Sequence, residues 1–156
     1  MLRALRAFLK NSAPTKTEAA GALRTLFVLA FAGQALVAGL VWAALELALT
    51  PGRAPSPLTA QVLVGFGVLT FPVALGLGTL TARGKGRAGA LSAALLEGVL
   101  LAAPLWYAAF AWLIGSPARY PALLAGLTAL FYALGVLGTA RHAGGAAEPV
   151  KGTTEG

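Results

Sequence analysis

The chain has 156 residues, of which 58% are hydrophobic and only 11% are charged, and its formal net charge is +7. Soluble domains usually carry about 25% charged residues, so most of this chain is not suited to contact with water. The absence of cysteine excludes disulfides, zinc–thiolate sites and thiol catalysis.

The first ten residues, MLRALRAFLK, have the pattern of an amphipathic helix, with leucines and a phenylalanine on one face. The basic residues that lie away from this face are Arg3, Arg6 and Lys10. The pattern predicts a short interfacial helix that contacts anionic lipid. The alternative is a basic tail that only sets topology. Thr15 and Glu18 then have the spacing of a capping box, so residues 1–22 form a cytoplasmic segment with the helix start.

Four apolar segments follow, each long enough to cross a bilayer, which needs about 20 residues. They span about 23–49, 58–82, 88–114 and 122–140. The connectors between them are short and rich in Gly, Pro or charge, as expected for turns between antiparallel helices. The sequence therefore predicts an all-α polytopic membrane protein, an antiparallel bundle of four transmembrane helices covering residues 23–140.

The distribution of Lys and Arg predicts the orientation of these helices. Ten of the twelve basic residues lie in the N-terminal segment with the start of the first span, the middle connector and the C-terminal tail, and only Arg53 and Arg119 lie in the other two connectors. Both termini are therefore expected in the cytoplasm. The basic balance then reflects topology, and nucleic acid is not an expected partner. Richness in Ala, Leu, Gly and Arg suggests a bacterium, and hence its inner membrane.

Small residues recur at a spacing of four on three of the predicted helices, which is the pattern of close helix packing in lipid. The first helix has Ala35, Gly39 and Ala43, the third has Ala94, Gly98 and Ala102, and the fourth has Ala125, Ala129 and Ala133. These positions predict contacts within the bundle, with helices of a partner, or in a homo-oligomer.

One carboxylate, Glu97, interrupts the third apolar segment. Glu97 comes ten residues after Arg87, and Gln34 comes ten residues after Arg24, so both are predicted near the middle of the membrane. Two hypotheses remain open. Glu97 is either a neutral acid that binds Gln34 and joins two helices, or a residue that carries protons or cations in transport.

Two prolines lie inside the predicted helices and should free one backbone carbonyl each. Pro72 frees that of Val68, and Pro104 frees that of Leu100. Helix kinks are the simpler interpretation, since neighbouring groups can satisfy the backbone. Carbonyls that help to bind a cation are the alternative.

The remaining features favour a protein without enzymatic activity, cofactor or metal. The single histidine, His142, is expected at the membrane interface or in the tail, and residues 141–156 are expected to be disordered. No catalytic or phosphate-binding motif is present. The sequence predicts an accessory or assembly subunit of a larger membrane complex, and the alternative is a small proton- or cation-coupled transporter or channel that uses Glu97.

Overall fold

The computed structural model describes residues 2–11, 14–48, 57–83 and 86–147, without the side chains of residues 2–4 and 7. Within these ranges the chain is helical and contains no strand. The predictions on Arg53 and on residues 148–156 lie outside the described residues, and so does the side chain of Arg3.

The chain begins with helices α1, Leu2–Lys10, and α2, Lys16–Ala48. The predicted capping box between them is confirmed. The backbone N–H of Thr15 donates to Glu18 Oε2 at 2.8 Å, and the backbone N–H of Glu18 donates to Thr15 Oγ1 at 3.2 Å. These bonds satisfy N–H groups that have no partner within the helix.

The other elements follow in chain order: α3 Pro57–Ala82, α4 Gly86–Leu101, α5 Ala103–Leu113, α6 Arg119–Gly138, the 3-10 turn Thr139–His142 and α7 Ala143–Ala147. Among the described residues, four helical stretches are long and apolar enough to cross a membrane, which confirms the predicted number. They are Lys16–Ala48, Pro57–Ala82, Gly86–Leu113 and Arg119–Ala147.

The two prolines have different effects on their helices. Helix α3 continues through Pro72 without interruption. Near Pro104 the third stretch breaks, because α4 ends at Leu101 and α5 begins at Ala103 with Pro104 in its first turn. A proline in this position lacks the N–H that would bond to Leu100 and fits the start of a new helix.

The predicted disorder from residue 141 is wrong for residues 141–147, which continue the last helix. Ala143 and Ala146 are buried against Phe8, Leu23 and Ala94. Small side chains allow this segment to pack closely, so it forms part of the bundle although its composition lacks large apolar residues.

Two buried clusters fill the bundle. The terminal cluster, to which α1 and α7 both contribute, contains Phe8, Ala19, Ala22, Leu23, Ala90, Ala94, Ala143 and Ala146. The central cluster contains Phe27, Phe31, Ala74, Leu101, Ala102 and Phe131. We call the end of the bundle with the terminal cluster the terminal end, and the opposite end the groove end.

Large apolar side chains are exposed on the surface of the bundle. On α3 alone, Val62, Phe66, Leu69 and Val73 are each about half exposed. Water-soluble monomers rarely expose continuous apolar surfaces of this extent. The four helices are thus compatible with a multi-pass membrane protein.

Candidate functional site

Glu97 lies on α4 between the two clusters and is completely buried, with 0% of its surface exposed. Helix α3 makes room for it at Gly78, where a Cβ atom would collide with the Glu97 carboxyl group. The glycine therefore allows α3 to cover the acid closely.

The carboxyl group contacts two residues of the 3-10 turn. Arg141 Nη2 donates to Glu97 Oε1 at 2.6 Å, and His142 Nε2 lies 3.0 Å from the same oxygen. The His142 side chain is 5% exposed and that of Arg141 is 37% exposed. Of the three residues Glu97, Arg141 and His142, only Arg141 therefore reaches the protein surface. Glu97 thereby fastens α4 to the C-terminal segment.

The second carboxyl oxygen of Glu97, Oε2, is buried and has no hydrogen-bond partner among the described residues. A buried carboxylate oxygen without a partner is costly, because burial removes water and nothing replaces it. Glu97 is thus strongly bound at one oxygen and unsatisfied at the other.

The predicted pair of Glu97 and Gln34 is wrong. Gln34 Oε1 instead accepts a hydrogen bond from Trp106 Nε1 at 3.4 Å, which joins α2 to α5. Glu97 binds residues of the 3-10 turn, and its helix neighbour Gly98 lies against Phe27 and Ala30 of α2. Gln34 is therefore about two helical turns, or ~10 Å, farther along α2 than the level of Glu97.

The error arises from the assumed starts of the helices. The prediction aligned Arg24 with Arg87, but α2 begins eight residues before Arg24, whereas α4 begins one residue before Arg87. Gln34 consequently lies farther from the terminal end of the bundle than its distance from Arg24 suggested. The phenylalanines of the central cluster separate Glu97 from Gln34. Phe71 packs against this cluster, with its ring 5.0 Å from that of Phe131.

The predicted packing residues divide into two groups. Ala94 and Gly98 on α4 are buried, and so is Ala102, which lies between α4 and α5. A Cβ atom on Gly98 would lie 2.7 Å from the Phe27 carbonyl oxygen and 2.8 Å from Ala30 Cβ, so the α2 backbone occupies this position. On α2, Ala35 is half-buried, and Gly39 and Ala43 are exposed.

Ala35 and Gly39 border an apolar cavity of about 530 Å³ between α2, α5 and α6, whereas Ala43 does not line it. We call it the small-residue groove. A Cβ atom on Gly39 would meet no atom within 4 Å. The small residues that line the groove are Ala35, Ala38, Gly39, Ala108, Ala109, Ala118, Ala122 and Ala125.

Two tryptophans border the groove where α2 and α5 approach their ends. Trp42 and Trp112 also line it, with their rings edge-to-face at a centroid distance of 6.3 Å. Trp112 Nε1 donates to Glu46 Oε2 at 2.9 Å. This hydrogen bond fixes one wall of the groove and gives Glu46 a partner.

The amphipathic segment forms the predicted helix, but its phenylalanine does not face outward. Phe8 is 1% exposed, belongs to the terminal cluster and lies beneath the Arg87 guanidinium, 4.0 Å from the ring centre. Arg6 and Lys10 are exposed, and so is Leu9, at 57%.

No protein-family profile, no characterised protein and no solved structure matches this chain. The functional argument therefore rests on the residues themselves. Sequence reasoning found Glu97 but missed Arg141 and His142, because both follow the last apolar run. The small residues after His142, which permit a further helical turn, were the available signal.

Proposed function

We propose that this chain is a non-enzymatic, multi-pass protein of the bacterial inner membrane that serves as an accessory or assembly subunit. Its small-residue groove takes up an apolar transmembrane helix of a partner protein. The observation that carries the proposal is the groove itself, which remains unfilled along the exposed side of α2.

The chemistry of the groove favours a helix as its occupant. In lipid, association of helices depends on van der Waals contact, and small residues permit close approach of two backbones. The groove offers Gly39 on α2, Ala109 on α5 and Ala125 on α6 at its three sides. A partner helix with Leu or Phe at the contact would fill this space without displacing any side chain of the chain.

The proposed topology is an antiparallel arrangement with both termini in the cytoplasm, supported by the ten-to-two distribution of basic residues. Reporter fusions at Arg53 and Arg119 should then read as periplasmic. The terminal end of the bundle, with α1, would lie at the cytoplasmic leaflet. Arg6, Lys10 and Leu9 are the exposed residues of α1 that would contact anionic lipid there.

Filling the groove tests the docking proposal. Gly39→Leu should abolish co-purification of the partner in mild detergent, because the leucine occupies the space of the incoming helix. Gly33→Leu is the matched control: Gly33 lies on the same helix, is equally unobstructed and does not line the groove. Both variants should keep the helical content of the original chain.

Retention of the partner by Gly39→Leu at the level of the control would contradict the proposal. If only further copies of this chain co-purify, and Gly39→Leu but not Gly33→Leu abolishes this self-association, the groove is the interface of a homo-oligomer and the protein is not an accessory subunit.

A second candidate function is proton- or cation-coupled transport through Glu97. It is favoured by the complete burial of Glu97 and by its unsatisfied Oε2. Arg141 beside the carboxyl group disfavours metal cations, and Gln34 accepts a hydrogen bond from Trp106 rather than contacting Glu97. Glu97→Gln should abolish pH-dependent flux in liposomes if this function holds, and leave cellular function intact if it does not.

A further inference from the structure

The contact between Glu97 and His142 requires a hydrogen atom. Oε1 of Glu97 and Nε2 of His142 are 3.0 Å apart, and both side chains are buried. A carboxylate oxygen and an unprotonated imidazole nitrogen are both acceptors, so one of the two atoms carries a proton. The positions of heavy atoms do not distinguish these possibilities, but the neighbouring donor constrains them.

That donor is Arg141. Its Nε–H points at His142 Nε2 at a distance of 3.2 Å, while its Nη2 donates to Glu97 Oε1 at 2.6 Å. His142 Nε2 cannot accept from Arg141 and donate to Glu97 at the same time, because it has either a lone pair or a hydrogen. The contacts therefore fit two hydrogen-bond arrangements in which the imidazole is neutral. A third arrangement, in which His142 carries a hydrogen on both nitrogens beside an ionised Glu97, leaves the Nε–H of Arg141 without an acceptor on the ring and Oε2 charged and without a partner.

In the first arrangement Glu97 is ionised. His142 carries its hydrogen on Nε2 and donates it to Oε1, which also accepts from Arg141 Nη2. The Nε–H of Arg141 then loses its acceptor on the ring. Oε2 is a charged oxygen that no described residue satisfies, which raises the free energy of this arrangement.

In the second arrangement Glu97 is a neutral acid. The proton on Oε1 is donated to the lone pair of His142 Nε2, which also accepts from Arg141 Nε. The ring hydrogen of His142 lies on Nδ1, and Oε2 is a neutral carbonyl oxygen whose lack of a partner costs less than that of a charged one. The cluster has gained one proton and one unit of positive charge.

We infer that Glu97 and His142 form a binding site for one exchangeable proton. Both the proton-free and the proton-bound states keep a hydrogen bond between the two residues, so the site accepts the proton without opening. Among the described residues, Arg141 and His142 are the charged or titratable groups in contact with Glu97. Helix α3 contributes only Gly78 to the surroundings of the carboxyl group, and Arg24 of α2 is exposed. The proton enters along Arg141, the one partly exposed member of the cluster.

The proton-binding site also connects to the C-terminal segment. Arg141 and His142 are followed directly by α7, whose Ala143 and Ala146 are buried in the terminal cluster. Proton uptake neutralises Glu97, so the ion pair that holds this segment becomes a hydrogen bond from the still cationic Arg141 to an uncharged acid. Occupancy of the site thus adjusts how firmly α7 is held, whatever partner the groove binds.

The chain permits a clean test, because its acids are five glutamates and it has a single histidine. The background variant replaces the other four glutamates with glutamine and keeps Glu97; these four are Glu18, Glu46, Glu148 and Glu155. Glutamine at position 18 preserves a capping box. Infrared difference spectra in liposomes, acidic minus neutral, should show a protonated-carboxyl band that disappears in Glu97→Gln.

Nitrogen NMR of labelled histidine supplies the second measurement and reports only on His142. Nε2 should carry the hydrogen at neutral pH and lose it, while Nδ1 gains one, as the carboxyl band appears. A histidine protonated on both nitrogens without a Glu97 carboxyl band would overturn the inference, and so would spectra that do not change with pH. Circular dichroism of Glu97→Gln verifies that this control variant is folded. If it is not folded, the change in the nitrogen NMR signal of His142 with the appearance of the carboxyl band decides whether the inference holds.

Discussion

Gly98 on α4 and Gly39 on α2 lie in similar sequence patterns, yet their surroundings differ. Toward the terminal end, Gly98 is covered by the α2 backbone, and the neighbouring Glu97 is enclosed by Gly78 and the 3-10 turn. Toward the groove end, Gly39 faces empty space. The comparison teaches that one small-residue pattern can either close a fold or leave a surface on which another helix can pack.

The largest expected effect concerns the ion pair of Glu97 and Arg141, toward the terminal end of the bundle. Arg141→Leu leaves Glu97 buried without its cationic partner, and breaking such a pair costs about 3–5 kcal/mol when both groups are buried. Because Arg141 is 37% exposed, we expect a loss at the lower end of this range, about 3 kcal/mol of unfolding free energy. Denaturant titration in detergent measures it. Adding Glu97→Leu should restore most of it. Equal stability of Arg141→Leu and the original chain would show that the ion pair does not hold this end together.

The second prediction compares the two glycines directly. Gly98→Ala forces a methyl group against the Phe27 carbonyl, and overpacking of this kind typically costs 1–3 kcal/mol, so we expect about 2 kcal/mol. Gly39→Ala should change the unfolding free energy by less than about 0.5 kcal/mol, as surface substitutions usually do. A loss at Gly39 equal to that at Gly98 would mean that the groove is closed in the membrane.

The elements that sequence alone predicted well are those with strong local signals. Four apolar runs predicted four membrane-length helices, and Thr15 with Glu18 predicted the helix start, because both depend on neighbouring residues. The partners of Glu97 depended instead on the register between helices that are distant in the chain. The early start of α2 places Gln34 out of reach of Glu97. Arg141 and His142 contact Glu97 because the last helical stretch continues past residue 140.

The open side of α2 was equally inaccessible to sequence reasoning. Alanine and glycine at a spacing of four indicate close approach but do not identify the approaching helix. Ala35 and Gly39 were expected to contact helices of the bundle or of a partner, and only the placement of α5 and α6 leaves them along a groove.

The third prediction tests the helix start at the terminal end. Thr15→Ala removes the hydroxyl that accepts from the Glu18 backbone N–H, so we expect a loss of about 1 kcal/mol. Thr17→Ala is the control, since Thr17 is exposed and takes no part in the capping box. If both threonines prove equivalent in thermal unfolding, the capping box contributes nothing measurable and packing alone fixes the start of α2.

The smallest effect is expected at the hydrogen bond between Gln34 and Trp106. The central cluster lies between this bond and Glu97. The bond is long, at 3.4 Å, and polar side-chain pairs in membranes average about 0.6 kcal/mol, so Gln34→Leu should cost no more than that. A double-mutant cycle with Trp106→Phe should recover this energy as coupling. The matching cycle of Gln34→Leu with Glu97→Leu should show none, because the phenylalanines separate the two sites. Coupling between Gln34 and Glu97 as large as that between Gln34 and Trp106 would mean that the two ends of the bundle are not independent.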